Sequence, residues 1–327
     1  MAKPLNWGIL STAHINNALF PGFKKSRRNK LVGVASRSLE KAKNYADQNG
    51  IPRAFGSYQE LIDDPQIHVV YISLPNHLHA EWTIKAAQAG KHVLCEKPIA
   101  LSLAEMDAVQ NAASEHQVII QEAFMYRHHP QTLRVAEIFH SGSLGEIGLI
   151  RGTFSFYLQR AEDIRLIKEY GGGSIWDVGC YPISYARHLI GRLPSKVIGM
   201  QQTSTSGVDL SFNGIMHFQS GLHAQFDSSF AMNSYQLVEI RGTEATLVIP
   251  MPFSMQGKSS IQILSNGSQY TEGFPGVDKY HLQLENMADA ILEESQQRVS
   301  LQDSRENTAL ILALLESARL ERPVELE

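Results

Sequence analysis

The sequence predicts an α/β protein with a doubly wound parallel sheet in its N-terminal part and a large, mostly antiparallel open sheet in a C-terminal α+β part. Over roughly the first 120 residues, short apolar strand-like runs alternate with helix-like segments. Beyond Phe124, several strand-like stretches follow one another, and polar and apolar residues alternate in some of them. Because 327 residues exceed what one core usually serves, we predict two domains, at residues 1–123 and 124–327.

The first part has the alternation of a Rossmann domain. Strands are predicted at the β-branched or otherwise apolar runs 5–10, 30–36, 68–74, 91–95 and 117–121. Helices are predicted at 13–25, 39–48, 57–62, 76–89 and 102–115, with Ser38 capping the second and Gly90 ending the fourth. Such sheets are covered on both faces and bind ligands at the carboxyl ends of their strands.

The second part begins with a predicted helix at 130–140. Strands are predicted at 147–157, 196–203, 210–218, 222–229, 235–242 and 245–249. A helix opened by the glycines at 171–173 is predicted between the first two strands, and helices at 280–294 and 303–319 close the chain. Alternation such as Leu222, Ala224 and Phe226 indicates a sheet with two unlike faces.

Composition excludes several classes of protein. A formal net charge of -4 argues against nucleic-acid binding, and we interpret the basic residues around Arg27 and Arg28 as a solvated helix end. Two cysteines, Cys95 and Cys180, without a CxxC pair favour a cytoplasmic protein over a disulfide scaffold or a thiolate metal site. Neither a signal peptide nor a membrane span is expected.

The turn after the first strand stands where a dinucleotide-binding fold has G-x-G-x-x-G/A. The three glycine positions hold Ser11, Ala13 and Asn16. Their position between the first strand and the first helix, rather than their identity, favours a pyrophosphate site. The missing glycines leave open whether this turn weakens nucleotide binding.

The second strand is followed by Ser36, Arg37 and Ser38. NAD-binding enzymes usually have an acid here for the ribose 2′-hydroxyl, and an acid would repel a 2′-phosphate. A guanidinium flanked by two hydroxyls suits a phosphate, so we predict NADP(H) rather than NAD(H) as the cofactor. The alternative is that Arg37 is a surface arginine and Ser38 only a helix cap.

Lys97 follows the fourth strand in the sequence Cys-Glu-Lys-Pro. This places the lysine at the carboxyl edge of the sheet, where a partly desolvated ammonium can polarise a carbonyl or change the pKa of a neighbour. In the predicted helix after the glycine run, Asp177 and Tyr181 are four residues apart and share a face. A lysine, a carboxylate and a phenol can form a proton relay. A buried tyrosine beside a capping aspartate is the alternative for the last two.

Four segments resemble the Gfo/Idh/MocA oxidoreductase family, and the similarity extends over essentially the whole chain. They are Glu96-Lys97-Pro98, the glycine run with Asp177 and Tyr181, the segment 75–79 and the segment 122–130. Within the family the chain looks closest to the sugar dehydrogenase and trans-dihydrodiol dehydrogenase branch. The resemblance implies an N-terminal Rossmann domain for the dinucleotide and a second domain that binds substrate and often dimerises through its sheet.

The resemblance also implies roles for individual residues. Catalytic roles are implied for Lys97, Asp177 and Tyr181. Cofactor contacts are implied for Ser11, Ala13, His14, Ile15, Ser36, Arg37, Leu74, Pro75, Asn76, His79, Glu96, Lys97 and Arg127. Substrate contacts are implied for Lys97, Tyr126, Asp177 and Tyr181. Arg165 is a further candidate for binding substrate hydroxyls through forked hydrogen bonds, or is a surface loop arginine.

These features predict an NADP(H)-dependent enzyme that transfers hydride to or from a sugar-like or dihydrodiol hydroxyl or carbonyl. We expect a cytoplasmic homodimer, associated through the C-terminal sheet. The alternative is a non-catalytic NADP(H) sensor on the same fold. His77, His79, His128 and His129 lack the spacing of a recognisable metal site, so no metal is predicted.

Overall fold

A computed structural model describes residues 3–160, 162–219, 221–255 and 257–326. The terminal residues 1, 2 and 327 of the predicted domains lie outside these ranges. The strands are β1 (Leu5–Leu10), β2 (Asn29–Ala35), β3 (Arg53–Phe55), β4 (Val69–Ile72), β5 (His92–Cys95), β6 (Ile120–Glu122), β7 (Ile147–Tyr157), β8 (Lys196–Thr203), β9 (Asp209–His217), β10 (His223–Ser229), β11 (Ala231–Gly242), β12 (Thr246–Pro250), β13 (Ser259–Ser265), β14 (Ser268–Phe274) and β15 (Val324–Glu325). The α-helices are α1 (Phe20–Lys25), α2 (Leu39–Asn49), α3 (Tyr58–Ile62), α4 (His79–Gln88), α5 (Leu103–Glu115), α6 (Pro130–His140), α7 (Cys180–Ile190), α8 (Lys279–Leu292) and α9 (Leu301–Leu320).

The chain forms two compact units. One contains the chain up to His128 together with Asp278–Ser304, and the other contains His129–Val277 and the chain from Arg305 onwards. The segment containing α8 thus belongs to the same unit as β1–β6. The functional division at residues 123 and 124 remains a prediction.

The first unit contains a parallel six-stranded sheet in the order β3-β2-β1-β4-β5-β6. Apolar side chains of α3, α4 and α5 cover one face, and those of α2 and α8 cover the other. The predicted doubly wound Rossmann sheet is confirmed. Because the strand order reverses between β1 and β4, the crevice at the carboxyl ends of these strands is where such folds bind ligands.

The second unit contains a nine-stranded sheet in the order β14-β13-β12-β11-β7-β10-β9-β8-β15. Its strand pairs are antiparallel except for β7 and β10, which confirms the predicted mostly antiparallel sheet. Gly152 on β7 lets α7 approach closely, since a Cβ there would lie 2.6 Å from the Cβ of Pro182. Gly199 similarly makes room for the Leu314 carbonyl of α9.

Several predicted elements were wrong in their bounds. The single helix expected at 13–25 is a 3₁₀ turn, His14–Ala18, followed by α1. The helix expected to start in the glycine run starts later, because Gly171 and Gly173 have φ values of 75° and 122°, outside the right-handed helical region. A π-helical turn, Ile175–Gly179, precedes α7.

Strands β3, β13, β14 and β15 were not predicted. Strand β3 has only three residues and β15 two, too few for a periodic signal. Strands β13 and β14 are joined by Asn266-Gly267, both with positive φ. Asn-Gly is the preferred sequence for a two-residue hairpin turn, so this signal was present in the sequence.

Candidate active site

The turn after β1 replaces glycine with side-chain hydrogen bonds. Ser11 has a φ of 110°, a conformation that glycine adopts most readily. Its hydroxyl donates to the Ser73 carbonyl at 3.0 Å and accepts the Ala13 N–H at 3.1 Å. The buried Asn16 closes the turn by donating to the Ser11 carbonyl at 3.0 Å and accepting the Ser73 hydroxyl at 2.6 Å. His14 and Ile15 begin the 3₁₀ turn that follows.

The end of β2 lies beside the end of β3. Ser36 is buried and its N–H donates to the Phe55 carbonyl at 3.2 Å, whereas Arg37 is exposed. The Ser38 hydroxyl accepts the Lys41 N–H at 3.3 Å, which confirms it as the cap of α2. Burial raises the pKa of Tyr58, at the start of α3, and the positive charge of Arg37 acts in the opposite direction.

The end of β4 leads through Leu74 and Pro75 into a 3₁₀ turn that starts at Asn76. His79, the first residue of α4, is buried between the loop that follows β4 and the loop that follows β5. Its Nδ1 lies 2.7 Å from the Pro98 carbonyl oxygen and its Nε2 lies 2.6 Å from that of Leu74. Burial lowers the pKa of His79 to about 4, against the two carbonyl oxygens, which favour the charged ring. His79 therefore ties the loop after β4 to the loop that carries Lys97.

Lys97 lies two residues beyond the end of β5, followed by a cis peptide bond to Pro98. The preceding Glu96 is fixed at both ends: its N–H donates to the Ile72 carbonyl at 2.9 Å, and its Oε1 accepts the Tyr71 hydroxyl at 2.6 Å. Lys97 is partly buried. The structure thus places the lysine at the carboxyl edge of the parallel sheet, as predicted.

The segment after β6 is buried. Tyr126 is fully buried and packs edge-to-face on Phe124, with ring centroids 5.9 Å apart. Arg127 Nη2 donates to the Arg298 carbonyl at 2.7 Å and lies 3.9 Å from Asp303. Burial lowers the pKa of Arg127. The segment between α8 and α9 therefore holds this guanidinium, and sequence spacing gave no sign of that contact.

In the second unit, Asp177 lies in the π-helical turn before α7, a feature that occurs frequently at functional sites. The buried Asp209 of β9 holds the start of this turn. Its Oδ2 accepts the Ser174 hydroxyl at 2.6 Å and the Ile175 N–H at 2.8 Å. Burial raises the pKa of Asp209 to about 6, and these two donors lower it. Sequence reasoning missed Asp209, which lies 32 positions beyond Asp177.

Arg165 contacts Asp177 directly. Its Nε donates to Asp177 Oδ2 at 2.8 Å, and its Nη1 lies 3.1 Å from Asp163 Oδ1. The two carboxylates, Asp177 first, raise the pKa of Arg165 against the effect of burial. The guanidinium is therefore part of the Asp177 cluster and not an isolated loop arginine.

Tyr181 is the second residue of α7 and lies within an aromatic cluster. Its ring centroid lies 5.5 Å from those of Phe154 and Phe253, and Tyr185 packs edge-to-face with Phe253 at 5.9 Å. Tyr181 is 6% exposed. The rings fix the orientation of the phenol through packing.

The predicted site residues are thus divided between the units. Those at the ends of β1, β2, β4, β5 and β6 share one edge of the parallel sheet, whereas Arg165, Asp177 and Tyr181 belong to the second unit. Residues that support the first group were missed, among them Tyr71, Ser73 and Glu122. All three lie on or directly after parallel strands, so strand position was the signal that could have found them.

Neither a metal centre nor a membrane-spanning helix is found among the described residues. Within ranges 3–160, 162–219, 221–255 and 257–326, no group of three or more His, Cys, Asp or Glu side chains is arranged to hold a metal ion. No helix in the described part of the chain combines the length and the apolar character needed to cross a membrane.

The chain has a Rossmann sheet with Lys97-Pro98 after β5, followed by a second unit with an open mixed sheet. These features define a class of two-domain oxidoreductases. Residues 5–124 match the oxidoreductase family with an NAD-binding Rossmann fold, and residues 132–248 match the C-terminal domain of the same family. The chain belongs to the Gfo/Idh/MocA oxidoreductase family.

Two relatives and one solved structure show which members it resembles. It is 36% identical to a D-xylose 1-dehydrogenase (NADP(+)) of Haloferax volcanii, over 98% of this chain and 99% of that protein. It is 30% identical to a trans-1,2-dihydrobenzene-1,2-diol dehydrogenase of Xenopus tropicalis, over 84% and 82%. A 3-ketoreductase from Actinomadura kijaniata, solved with NADP and TDP-benzene, superposes with a TM-score of 0.91 at 26% identity, over 96% of this chain and 98% of that chain.

Proposed function

We propose that this protein is an NADP(H)-dependent oxidoreductase that transfers hydride between a nicotinamide and a hydroxyl or carbonyl carbon of a sugar, a sugar-like compound or a dihydrodiol. The observation that carries the proposal is Lys97 at the carboxyl edge of a Rossmann sheet, in a chain that also has the Asp177 and Tyr181 pair. The NADP(+)-dependent xylose dehydrogenase and the dihydrodiol dehydrogenase among its relatives support the substrate class.

The residues after β2 fit NADP(H) better than NAD(H). No negative charge is carried by Ser36, Arg37 or Ser38. The exposed Arg37 guanidinium can bind a 2′-phosphate by donating two charge-assisted hydrogen bonds to it. The small side chains of Ser11 and Ala13 leave the backbone after β1 accessible to a pyrophosphate. When bound, NADP(H) supplies the hydride donor or acceptor. Further cofactor contacts are proposed from His14, Ile15, Leu74, Pro75, Asn76, His79, Glu96 and Arg127.

The chain's own residues handle the proton and the developing charge. We assign to Tyr181 the transfer of the substrate hydroxyl proton: its phenolate oxygen takes this proton during oxidation, and the resulting phenol returns it during reduction. The ammonium of Lys97 stabilises the negative charge that develops on oxygen. Asp177 and Arg165, paired at 2.8 Å, hydrogen-bond and orient substrate hydroxyls. Tyr126 is proposed as a further substrate-binding residue.

We also propose a homodimer that associates through the open face of the nine-stranded sheet. On this face, Ile198 and Ile215 are register partners, and Met200 is 71% exposed. Exposed apolar side chains on adjacent strands of one sheet face are typical of a protein–protein interface. The thiols of Cys95 and Cys180 are buried and not joined in a disulfide, which supports a cytoplasmic location.

The test combines binding and turnover. NADP⁺ and NAD⁺ are titrated against the purified protein, and reduced nicotinamide is then followed by absorbance over a panel of aldoses and dihydrodiols. We expect tighter binding of NADP⁺ and turnover on at least one panel member. Binding without turnover on any member would favour the non-catalytic sensor, and equal binding of both nucleotides would contradict the role of Arg37.

Two pairs of variants assign the residues. Lys97→Ala should lower kcat by about 10²–10⁴-fold with NADP⁺ affinity nearly unchanged, as loss of a group acting on the reacting oxygen would do. Arg37→Ala should weaken NADP⁺ binding by about 10–100-fold and leave NAD⁺ binding unchanged. Lys24→Ala and Arg27→Ala, which remove exposed cations elsewhere on the first unit, are the matched controls. Near-normal turnover of the Lys97 variant would overturn the catalytic assignment.

A further inference from the structure

Glu122 is a buried carboxyl beside the loop that carries Lys97. It is the last residue of β6 and the register partner of Cys95, the last residue of β5. The two strand ends are joined directly, since the Ala123 N–H donates to the Cys95 carbonyl at 2.8 Å. Glu122 is 2% exposed. A carboxyl so far from solvent is costly to keep unless it has a specific partner or a function.

One oxygen of this carboxyl holds the chain that follows Lys97. Glu122 Oε1 accepts the N–H of Ile99, two residues beyond the lysine, at 3.0 Å. The other oxygen, Oε2, is buried and meets no hydrogen-bond partner within the described part of the chain. The carboxyl is therefore only half satisfied by the backbone, and its second oxygen can hold either a proton or a negative charge.

Four groups act on the charge of Glu122. Burial raises its pKa to about 7, whereas the Ser304 hydroxyl, the Ile99 N–H and the positive charge of Lys97 lower it. The negative charge of Glu96 raises it further. In return, Glu122 contributes to raising the pKa of the buried Cys95 thiol, which is well above its usual range mainly because of burial. The charges of Lys97 and Glu122, which belong to the same unit of the protein, therefore interact electrostatically.

We propose that Glu122 is a positioning residue for Lys97: it fixes the chain beyond the lysine through Ile99 and, when ionised, supplies a negative charge that keeps the lysine protonated. This inference rests on the proposed function, in which Lys97 works as an ammonium. A nearby anion stabilises the protonated lysine and so raises its pKa. Protonation of Glu122 removes that stabilisation.

The test measures the protonation of Lys97 directly, without cofactor or substrate. The protein is labelled with trinitrobenzenesulfonate, which reacts with neutral amines, and the modification of Lys97 is quantified by mass spectrometry of its peptide. Glu122→Gln keeps an oxygen for the Ile99 N–H but carries no charge. We expect it to label Lys97 about threefold faster or more than wild type at pH 8, where wild-type Glu122 is ionised. At pH 6, where wild-type Glu122 is protonated, the ratio should approach one.

The pH dependence of this ratio separates a charge effect from a loosened loop. A merely structural role would speed labelling by the same factor at both pH values, and that result, or equal rates at both, would overturn the proposal. Glu105→Gln is the matched control: Glu105 Oε2 accepts the Leu101 N–H at 2.8 Å, and its replacement should leave Lys97 labelling at the wild-type rate. Faster labelling in this control would also count against the proposal.

A second variant covers the case in which Glu122→Gln does not fold. Ser304→Ala keeps the carboxyl but removes a hydroxyl that lowers its pKa. As Glu122 ionises with rising pH, the labelling rate of Lys97 in the wild type should fall relative to that of an isolated lysine. In Ser304→Ala the midpoint of this fall should lie at higher pH, because Glu122 ionises at higher pH without the hydroxyl. An unchanged midpoint would contradict the proposal. Failure of the proposed function is read separately, from turnover of Lys97→Ala, which the labelling experiment does not use.

Discussion

Burial changes the acid–base chemistry of individual residues in the first unit. The pKa of His92 is lowered to about 4, first by burial and then by His68, and that of His128 to about 3, first by burial. The geometry at His92 agrees, because its Nδ1 accepts the Ile119 N–H at 2.9 Å and so carries no proton. These rings are neutral parts of the fold rather than solvent-exposed bases.

The first prediction concerns the acid sensitivity of His92. Since its folded pKa lies below its unfolded value, its contribution to stability is present above about pH 6.5 and is lost as pH falls towards about 4. His92→Asn keeps an acceptor for the Ile119 N–H but cannot take up the proton. Between pH 7 and pH 5 the wild type should lose about 1–2 kcal/mol of unfolding free energy relative to this variant, after allowing for partial exposure.

Urea unfolding of both proteins at the two pH values measures this difference. His140→Asn, at the exposed end of α6, is the control and should follow the wild type. If the difference in unfolding free energy between wild type and His92→Asn stayed constant from pH 7 to pH 5, His92 would take up its proton equally in the folded and the unfolded protein, which would contradict the prediction.

At the scale of elements, α8 completes the first unit although it lies about 150 residues beyond it in sequence. Gly22 of α1 lies against the His281 backbone, where a Cβ would lie 3.0 Å from two backbone atoms. Arg28 then pairs with three acids that lie on α8 or directly after it: Glu285 at 2.8 Å, Asp289 at 2.6 Å and Glu293 at 2.8 Å. The interpretation of Arg28 as part of a solvated helix end was therefore wrong.

The second prediction is that Arg28→Ala weakens the attachment of α8. Removing one cation from three carboxylates leaves three negative charges on one helical face, so we expect a loss of about 1 kcal/mol in unfolding free energy, smaller at high salt. Lys25→Ala is the control, because Lys25 is 60% exposed and lies 3.9 Å from Asp278, and it should change stability by less than about 0.5 kcal/mol. Denaturant unfolding at low and high salt gives both values. Equal losses from the two variants would mean that the network adds nothing beyond a single surface pair.

At the scale of the whole molecule, the nine-stranded sheet has two unlike faces. One is covered by α7 and α9, whose approach Gly152 and Gly199 permit. The other presents Ile198, Met200 and Ile215 to solvent, with 37%, 71% and 37% exposure. An apolar face of this kind is the surface on which the proposed homodimer depends.

The third prediction tests that surface. Met200→Glu places a charge within the exposed apolar group and should convert a dimer to a monomer without lowering the melting temperature of the monomer fold. Tyr270→Glu is the control: Tyr270 is 61% exposed but is the register partner of Ile263, which lies on the opposite face of the sheet. Sedimentation velocity measures both. A dimer that survives Met200→Glu, or a wild-type monomer, would contradict association through this face.

The sequence by itself determined most of the order of elements, without β3, β13, β14 and β15, together with the class of each sheet, the position of Lys97 and the cap at Ser38. These follow from local periodicity, capping chemistry and the rule that parallel strands end at one edge, none of which needs long-range contacts. Only the tertiary structure decided that Ser11 could replace glycine through contacts with Ser73, and that α8 packs beside β2. It also showed that Asp209 holds the turn of Asp177 and Glu122 the chain after Lys97. Each of these depends on residues distant in sequence that become neighbours only when the sheets form, so no local pattern encodes them.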